Sequence, residues 1–182
     1  ISDLSLRYYQ ERALKNVFIE DLARSGIIIL PCGAGKSLVA ISIIGRIKKN
    51  AVIFVKVKSV LTMEILTSER TTIERDKIII LSPKLKDKNP KKLEIAQYLL
   101  QHINGRHEKS NLKQIFTVAQ QISWGVCIAD EVHKLPAETF QQVLRKYKFY
   151  LKVGLTATPY REDQKINNLF FMIGPNFISK TG

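Results

Sequence analysis

Seven residues, Pro31-Cys32-Gly33-Ala34-Gly35-Lys36-Ser37, have the types and order needed to wrap a phosphate. They follow the apolar run Ile27-Ile28-Ile29-Leu30 and lead into a helical pattern. Small residues in such a turn let backbone N–H groups close around phosphate oxygens, and the helix N-terminus adds partial positive charge. Lys36 would reach the β and γ phosphates of a bound ATP, and the Ser37 hydroxyl would ligate Mg2+. The strict GxxxxGK[ST] spacing fails at its first position, Leu30, while the GAGKS half that does the wrapping is intact.

A second chemical element lies far away in sequence. Asp130-Glu131 closes the apolar run Val126–Ala129, and ligands of open α/β sheets collect at strand ends of this kind. Two carboxylates there can divide the work, one holding Mg2+ through water and the other orienting or deprotonating an attacking water. His133 follows two residues later; it has no partner at metal-ligand spacing, so a zinc site is not supported. Thr156-Ala157-Thr158 ends another apolar run, and its hydroxyls can bridge the acidic pair to neighbouring loops. Near the start, Gln10 in Leu6-Arg7-Tyr8-Tyr9-Gln10 offers a donor and an acceptor that match an adenine edge. A plain amphipathic helix start accounts for the same string.

The elements that must position these groups follow from hydrophobic pattern. Gly26–Leu30, Ala51–Val57, Lys77–Leu81, Val126–Ala129 and Leu151–Leu155 are short, β-branched and nearly continuous, as strands covered on both faces require. Helical spacing runs over Tyr9–Leu22, Lys36–Ile47, Pro90–Ile103 and Ala137–Tyr147. Strands alternating with helices predict a doubly wound, mainly parallel α/β layer fold. Lys84–Pro90 and Asn104–Lys113 read as loops, and there is no internal repeat.

The 182 residues fit one domain. Lysine and arginine exceed aspartate and glutamate by 29 to 16, a net charge of +13, which points to a polyanionic partner. Nucleic acid and an acidic membrane surface both qualify, but a basic amphipathic helix of the membrane-surface kind is not found. No apolar stretch approaches the roughly 18–20 residues that span a bilayer. Cys32 and Cys127 form no CxxC, so neither a zinc site nor a disulfide framework is indicated, and a reducing compartment is the simplest reading. The opening Ile1-Ser2-Asp3, without methionine or a signal-like segment, reads as part of something longer.

Together these strings resemble the first RecA-like domain of superfamily 2 helicases, and within them the XPB/Ssl2 group of DNA translocases. LRYYQERAL, SGIIILPCGAGKSLVA, DEVHKLPAETF, VGLTATPYRED and KINNLFFMIGP carry the likeness, over about residues 5–56 and 124–176. The resemblance implies a three-layer RecA-like (P-loop NTPase) fold over 1–182 that binds ATP and Mg2+. Arg7 and Gln10 would contact adenine, and Pro31, Cys32, Gly33, Ala34, Gly35, Lys36 and Ser37 would form the phosphate loop. Asp130 would bind Mg2+ with Ser37, Glu131 would be the catalytic base, and His133 would couple nucleotide state to movement. Thr156 and Thr158 would link hydrolysis to DNA engagement, and Arg161-Glu162-Asp163 would be the motif associated with opening duplex DNA.

The pattern departs from the family between residues 57 and 123. Val57–Leu66 has no tryptophan where the family has a Trp-containing DNA-contact segment, and Leu81-Ser82-Pro83 matches its threonine-tyrosine strand end only loosely. The family's second RecA-like lobe brings an arginine finger, which can be worth ~10³–10⁵ in rate; one lobe alone is expected to bind ATP weakly and hydrolyse it slowly. The partners implied are duplex DNA, that second lobe and a TFIIH-like complex. The compartment is the nucleus in a eukaryote, and otherwise the cytoplasm or a viral factory. The competing readings are a restriction-type or viral DNA translocase, and a nucleic-acid-binding module of the same fold that does not hydrolyse ATP.

Overall fold

Residues 5–20, 22–55, 78–81, 122–131, 144–145, 147–158 and 171–179 are described by a computed structural model. Among the described residues the five β-branched runs and one further segment form a six-stranded sheet: β3 (Gly26–Ile29), β4 (Asn50–Phe54), β5 (Ile78–Leu81), β6 (Trp124–Asp130), β7 (Phe149–Thr156) and β8 (Asn176–Ser179). Their order is β5-β4-β6-β7-β3-β8, and every neighbouring pair is parallel. Helix α1 (Tyr8–Val17) and helix α2 (Lys36–Ile47) flank it, and a two-residue hairpin, β1 (Phe18–Ile19) with β2 (Leu22–Ala23), follows α1. Ile28, Ala51, Ile53, Val126, Ile128, Leu151, Val153 and Leu155 pack with Ala13 and Val17 of α1 and with Val39, Ala40, Ile41, Ile43 and Ile44 of α2 in one core. The opposite face carries Ile27, Ile29, Val52, Phe54, Cys127 and Ala129, also buried. Burial on both faces is why the strands read as continuous apolar runs rather than alternating ones.

Two local features depart from the sequence reading. The helical pattern Tyr9–Leu22 stops at Val17, because Phe18 turns to an extended conformation and Glu20 takes a positive φ of 49° in the hairpin turn. Leu22, which completed the apolar periodicity, is 66% exposed. Strand β8 was not anticipated. It follows Gly174 (φ 136°) and Pro175, and the Pro175 carbonyl accepts a bond from Ile27 N–H at 2.8 Å. A Cβ on Gly174 would sit 2.4 Å from the Ser25 carbonyl oxygen, so only glycine lets this turn close on β3. The helix expected over Pro90–Ile103 and the loops Lys84–Pro90 and Asn104–Lys113 lie outside the described residues. Of Ala137–Tyr147, residues 144 and 145 are helical and Tyr147 lies in a bend.

Candidate functional site at the carboxyl edge of the sheet

Parallel strands end on the same side, so the topology gathers the chemistry-bearing segments at one edge. β3 ends at Ile29 opposite Thr156 of β7, and Leu155 lies opposite Asp130 of β6. The glycine loop, the Thr156–Thr158 turn and the acidic pair therefore leave three adjacent strands in the order β3, β7, β6. A bond from Leu30 N–H to the Thr156 carbonyl (2.9 Å) extends the β3–β7 ladder to the base of the loop. Beyond it, Thr156, fully buried, donates its hydroxyl to the Thr158 carbonyl (2.7 Å) and accepts from Thr158 N–H (3.2 Å).

The loop takes its shape from two glycines in the left-handed region, Gly33 and Gly35, both at φ 76°. Gly35 is the N-cap of α2, and its carbonyl receives Leu38 and Val39 N–H. A Cβ on Gly33 would meet nothing within 4 Å, so open space lies beside the loop where an anion can approach the backbone. Gln10, 3% exposed, braces the turn from α1: its Nε2 donates to the Ala34 carbonyl at 2.8 Å, and its Oε1 accepts from Arg7 N–H at 2.9 Å. A Cβ on Gly35 would lie 2.5 Å from that Nε2, so Gly35 is fixed both by its dihedral and by the glutamine against it. Arg7 precedes α1 with its guanidinium donating to the Tyr9 hydroxyl (3.1 Å). The sequence reading aimed Gln10 at an adenine edge; its grip on Ala34 joins segments 24 positions apart, and no local pattern records it.

Lys36, in the first turn of α2, folds back over the loop. Its ammonium donates to the carbonyls of Leu30 (3.3 Å) and Pro31 (3.5 Å) and lies 3.5 Å from Glu131 Oε1. Both partners of the ion pair are largely shielded, with side chains 10% and 19% exposed. Glu131 occupies the left-handed region at φ 53°, which costs a non-glycine residue about 1 kcal/mol or more. Asp130 is buried, and strand parity puts it on the face of Val126 and Ile128, the face that α2 covers. Ser37 opens α2 on that side beside Lys36. A serine hydroxyl and a carboxylate are hard oxygen donors of the kind Mg2+ takes alongside phosphate oxygens. The donor set and the open loop thus fit Mg2+ with a nucleoside triphosphate. His133 and Arg161-Glu162-Asp163 lie outside the described residues. No described helix is long and apolar enough to cross a membrane, and the described residues contain no group of three or more His, Cys, Asp or Glu that could hold a metal without phosphate oxygens.

Comparison with known proteins identifies the family and the fold. The family model described as type III restriction enzyme, res subunit, matches residues 3–161. The XPB helicase/translocase subunit of general transcription and DNA repair factor IIH from Dictyostelium discoideum is 38% identical over 93% of this chain, which spans 22% of that relative's length. Among solved structures, the UvsW helicase of bacteriophage T4 superposes with a TM-score of 0.61 at 14% identity, covering 95% of this chain and 60% of that one. The Sulfolobus solfataricus SWI2/SNF2 ATPase core in complex with dsDNA gives 0.52 at 16% identity, covering 93% and 35%. At these identities the structures establish a shared helicase-type α/β fold.

Proposed function

From a chain that belongs to the family of type III restriction enzyme res subunits, we propose the ATP-hydrolysing first RecA-like lobe of an XPB-like DNA helicase/translocase, formed by residues 1–182. Hydrolysis here is coupled to movement on, or opening of, duplex DNA. The observation that carries the reading is the meeting of Lys36 and Glu131: a lysine from the glycine loop and a carboxylate from a different strand converge to 3.5 Å at the sheet's ligand-binding edge.

In this mechanism the backbone of Gly33 to Ser37 cradles the phosphates and Lys36 leaves its carbonyl seat to meet the β and γ oxygens. Ser37 and Asp130 would hold Mg2+, which neutralises the charge that develops on the transferred phosphoryl group. Glu131, released from Lys36, accepts a proton from the attacking water. Arg7 and Gln10 sit at the adenine side, and His133 with Thr156 and Thr158 relays nucleotide state to the DNA-facing parts. Arg161-Glu162-Asp163 takes part in opening the duplex. A second lobe supplies the arginine that completes the site. The similarity to XPB supports work within a TFIIH-like complex in transcription initiation and excision repair, in the nucleus of a eukaryote.

The test is ATP turnover of the native-length protein with and without duplex DNA. DNA-stimulated turnover that Lys36→Ala or Glu131→Gln abolishes is the expected result. Turnover unchanged in either variant would overturn the assignment, whereas duplex binding with no turnover in the parent would leave a non-hydrolysing nucleic-acid-binding module.

A further inference from the structure

The opposite, amino edge of the sheet carries a row of cations that the nucleotide site does not use. Helix α2 ends there with Arg46 in its last turn and Lys48 as its C-cap, and Lys49 follows immediately before β4. Lys148 immediately precedes β7, and Arg24 lies just before β3. All five are exposed. A helix C-terminus accounts for some positive charge, because cations complement its unpaired carbonyls. It does not account for Lys148 or Arg24, which belong to other strands. Among the described residues, the carboxylates are Glu11, Glu20, Asp130 and Glu131, and of these only Glu20, in the hairpin turn, lies towards this end.

The cluster is also held in place. Lys48 adopts the left-handed region (φ 54°, ψ 34°), where glycine is the usual helix terminator, and its N–H bonds the Ile44 carbonyl at 3.0 Å. The Lys49 stem lies so close to β6 that a Cβ on Gly125 would stand 2.3 Å from Lys49 Cβ, so the glycine makes room for this lysine. The Lys49 ammonium is 5.2 Å from the ring centroid of Tyr150, itself 55% exposed. This cation–π contact holds the Lys49 ammonium at the edge of the sheet.

We propose that this edge is a second nucleic-acid contact, taking the phosphate backbone of a duplex segment away from the ATP edge. The row from Lys49 before β4 to Arg24 before β3 crosses three strand intervals, about 14 Å. A duplex presents one phosphate per roughly 3.4 Å of axis on each strand. The row is long enough to meet several phosphates, from Lys48 and Lys49 before β4, Lys148 before β7 and Arg24 before β3. An acidic protein segment would meet the same charge, but the chain's net charge of +13 favours a long polyanion over a short acidic segment. The contact is independent of hydrolysis.

The experiment is duplex binding by the native-length protein without nucleotide, followed by fluorescence anisotropy across a salt series. Lys48, Lys49 and Lys148 are changed together to Gln, and in a second variant together to Arg. Each neutralised phosphate contact contributes about 0.9 to the slope of log K against log salt. The Gln variant is expected to lower the slope by about 2–3 and to weaken binding on the order of 10²-fold near 0.1 M salt. The Arg variant keeps slope and affinity, showing that charge is what matters, and circular dichroism and ATP binding match the parent in both. An unchanged slope in the Gln variant overturns the proposal. So does a loss confined to binding of polyglutamate, which would assign the edge to an acidic protein.

Discussion

Glutamine at position 131 should tighten nucleotide binding while stopping turnover. Without nucleotide, Lys36 is held by the Leu30 and Pro31 carbonyls and by Glu131 at 3.5 Å. Before its ammonium can reach a phosphate, that pair must separate. Two unit charges at this distance attract by about 5 kcal/mol at an effective dielectric near 20. Desolvation of two side chains only 10% and 19% exposed offsets most of it, leaving a net of about 1 kcal/mol. Glu131→Gln removes this restraint, so the Kd of a non-hydrolysable ATP analogue with Mg2+ should fall about five- to tenfold. Part of any gain comes simply from removing a carboxylate that repels phosphate. The same change in a Lys36→Met background isolates that part, because no ion pair exists there to break. Calorimetric Kd values for the parent, both single variants and the double variant close the cycle. A coupling of about 1 kcal/mol supports the restraint. Equal tightening in both backgrounds, or none in either, would refute the reasoning.

Gly35→Ala should weaken nucleotide binding at least about tenfold and lower stability by about 1–3 kcal/mol, since its Cβ meets Gln10 Nε2 at a φ reserved for glycine; equilibrium binding and denaturant unfolding check both effects. Gln10→Glu replaces the donor to the Ala34 carbonyl with an acceptor and should destabilise by about 1–3 kcal/mol, lessening as the carboxyl protonates at low pH, as denaturant titrations at two pH values would reveal. The two cysteines should separate cleanly in alkylation. Burial pushes the Cys127 thiol well above its usual range, against a smaller opposing pull from the Lys152 cation, whereas Cys32 is exposed on the phosphate loop. At about pH 8.5, where an ordinary thiol is half ionised, mass spectrometry should find Cys32 modified, protected by ATP, and Cys127 modified only after unfolding.

The parallel sheet was legible because burial on both faces leaves a plain mark, a short β-branched run, at β3, β4, β5, β6 and β7. Strand β8 left no such mark: Asn176-Phe177-Ile178-Ser179 is half polar, and its place beside β3 depends on Gly174 fitting against Ser25. The end of α1 was misread for the opposite reason. Leu22 has helical spacing but contributes to an exposed hairpin, and periodicity cannot distinguish an apolar residue that packs from one that does not. At the site, residue type and spacing singled out Lys36, Ser37, Asp130 and Glu131. They could not reveal the left-handed backbone of Glu131, the carbonyl seat of Lys36 or the clasp of Gln10 on Ala34, because each depends on contacts between distant segments.

Strand order explains why these particular side chains can meet. β7 lies between β3 and β6, so the phosphate loop and the acidic pair start from strands two intervals apart, about 9–10 Å. The two strands are not neighbours in the sheet. The gap is closed from one side by the long lysine stem folding back over its own loop, and from the other by a glutamate turned inward by its left-handed backbone. Asp130, one methylene shorter and still in the strand, stays buried on the α2 face. Length and backbone geometry thus give the two acids different reach. Glu131 extends to the cation, and a bound phosphate that draws Lys36 away changes the surroundings of that carboxylate.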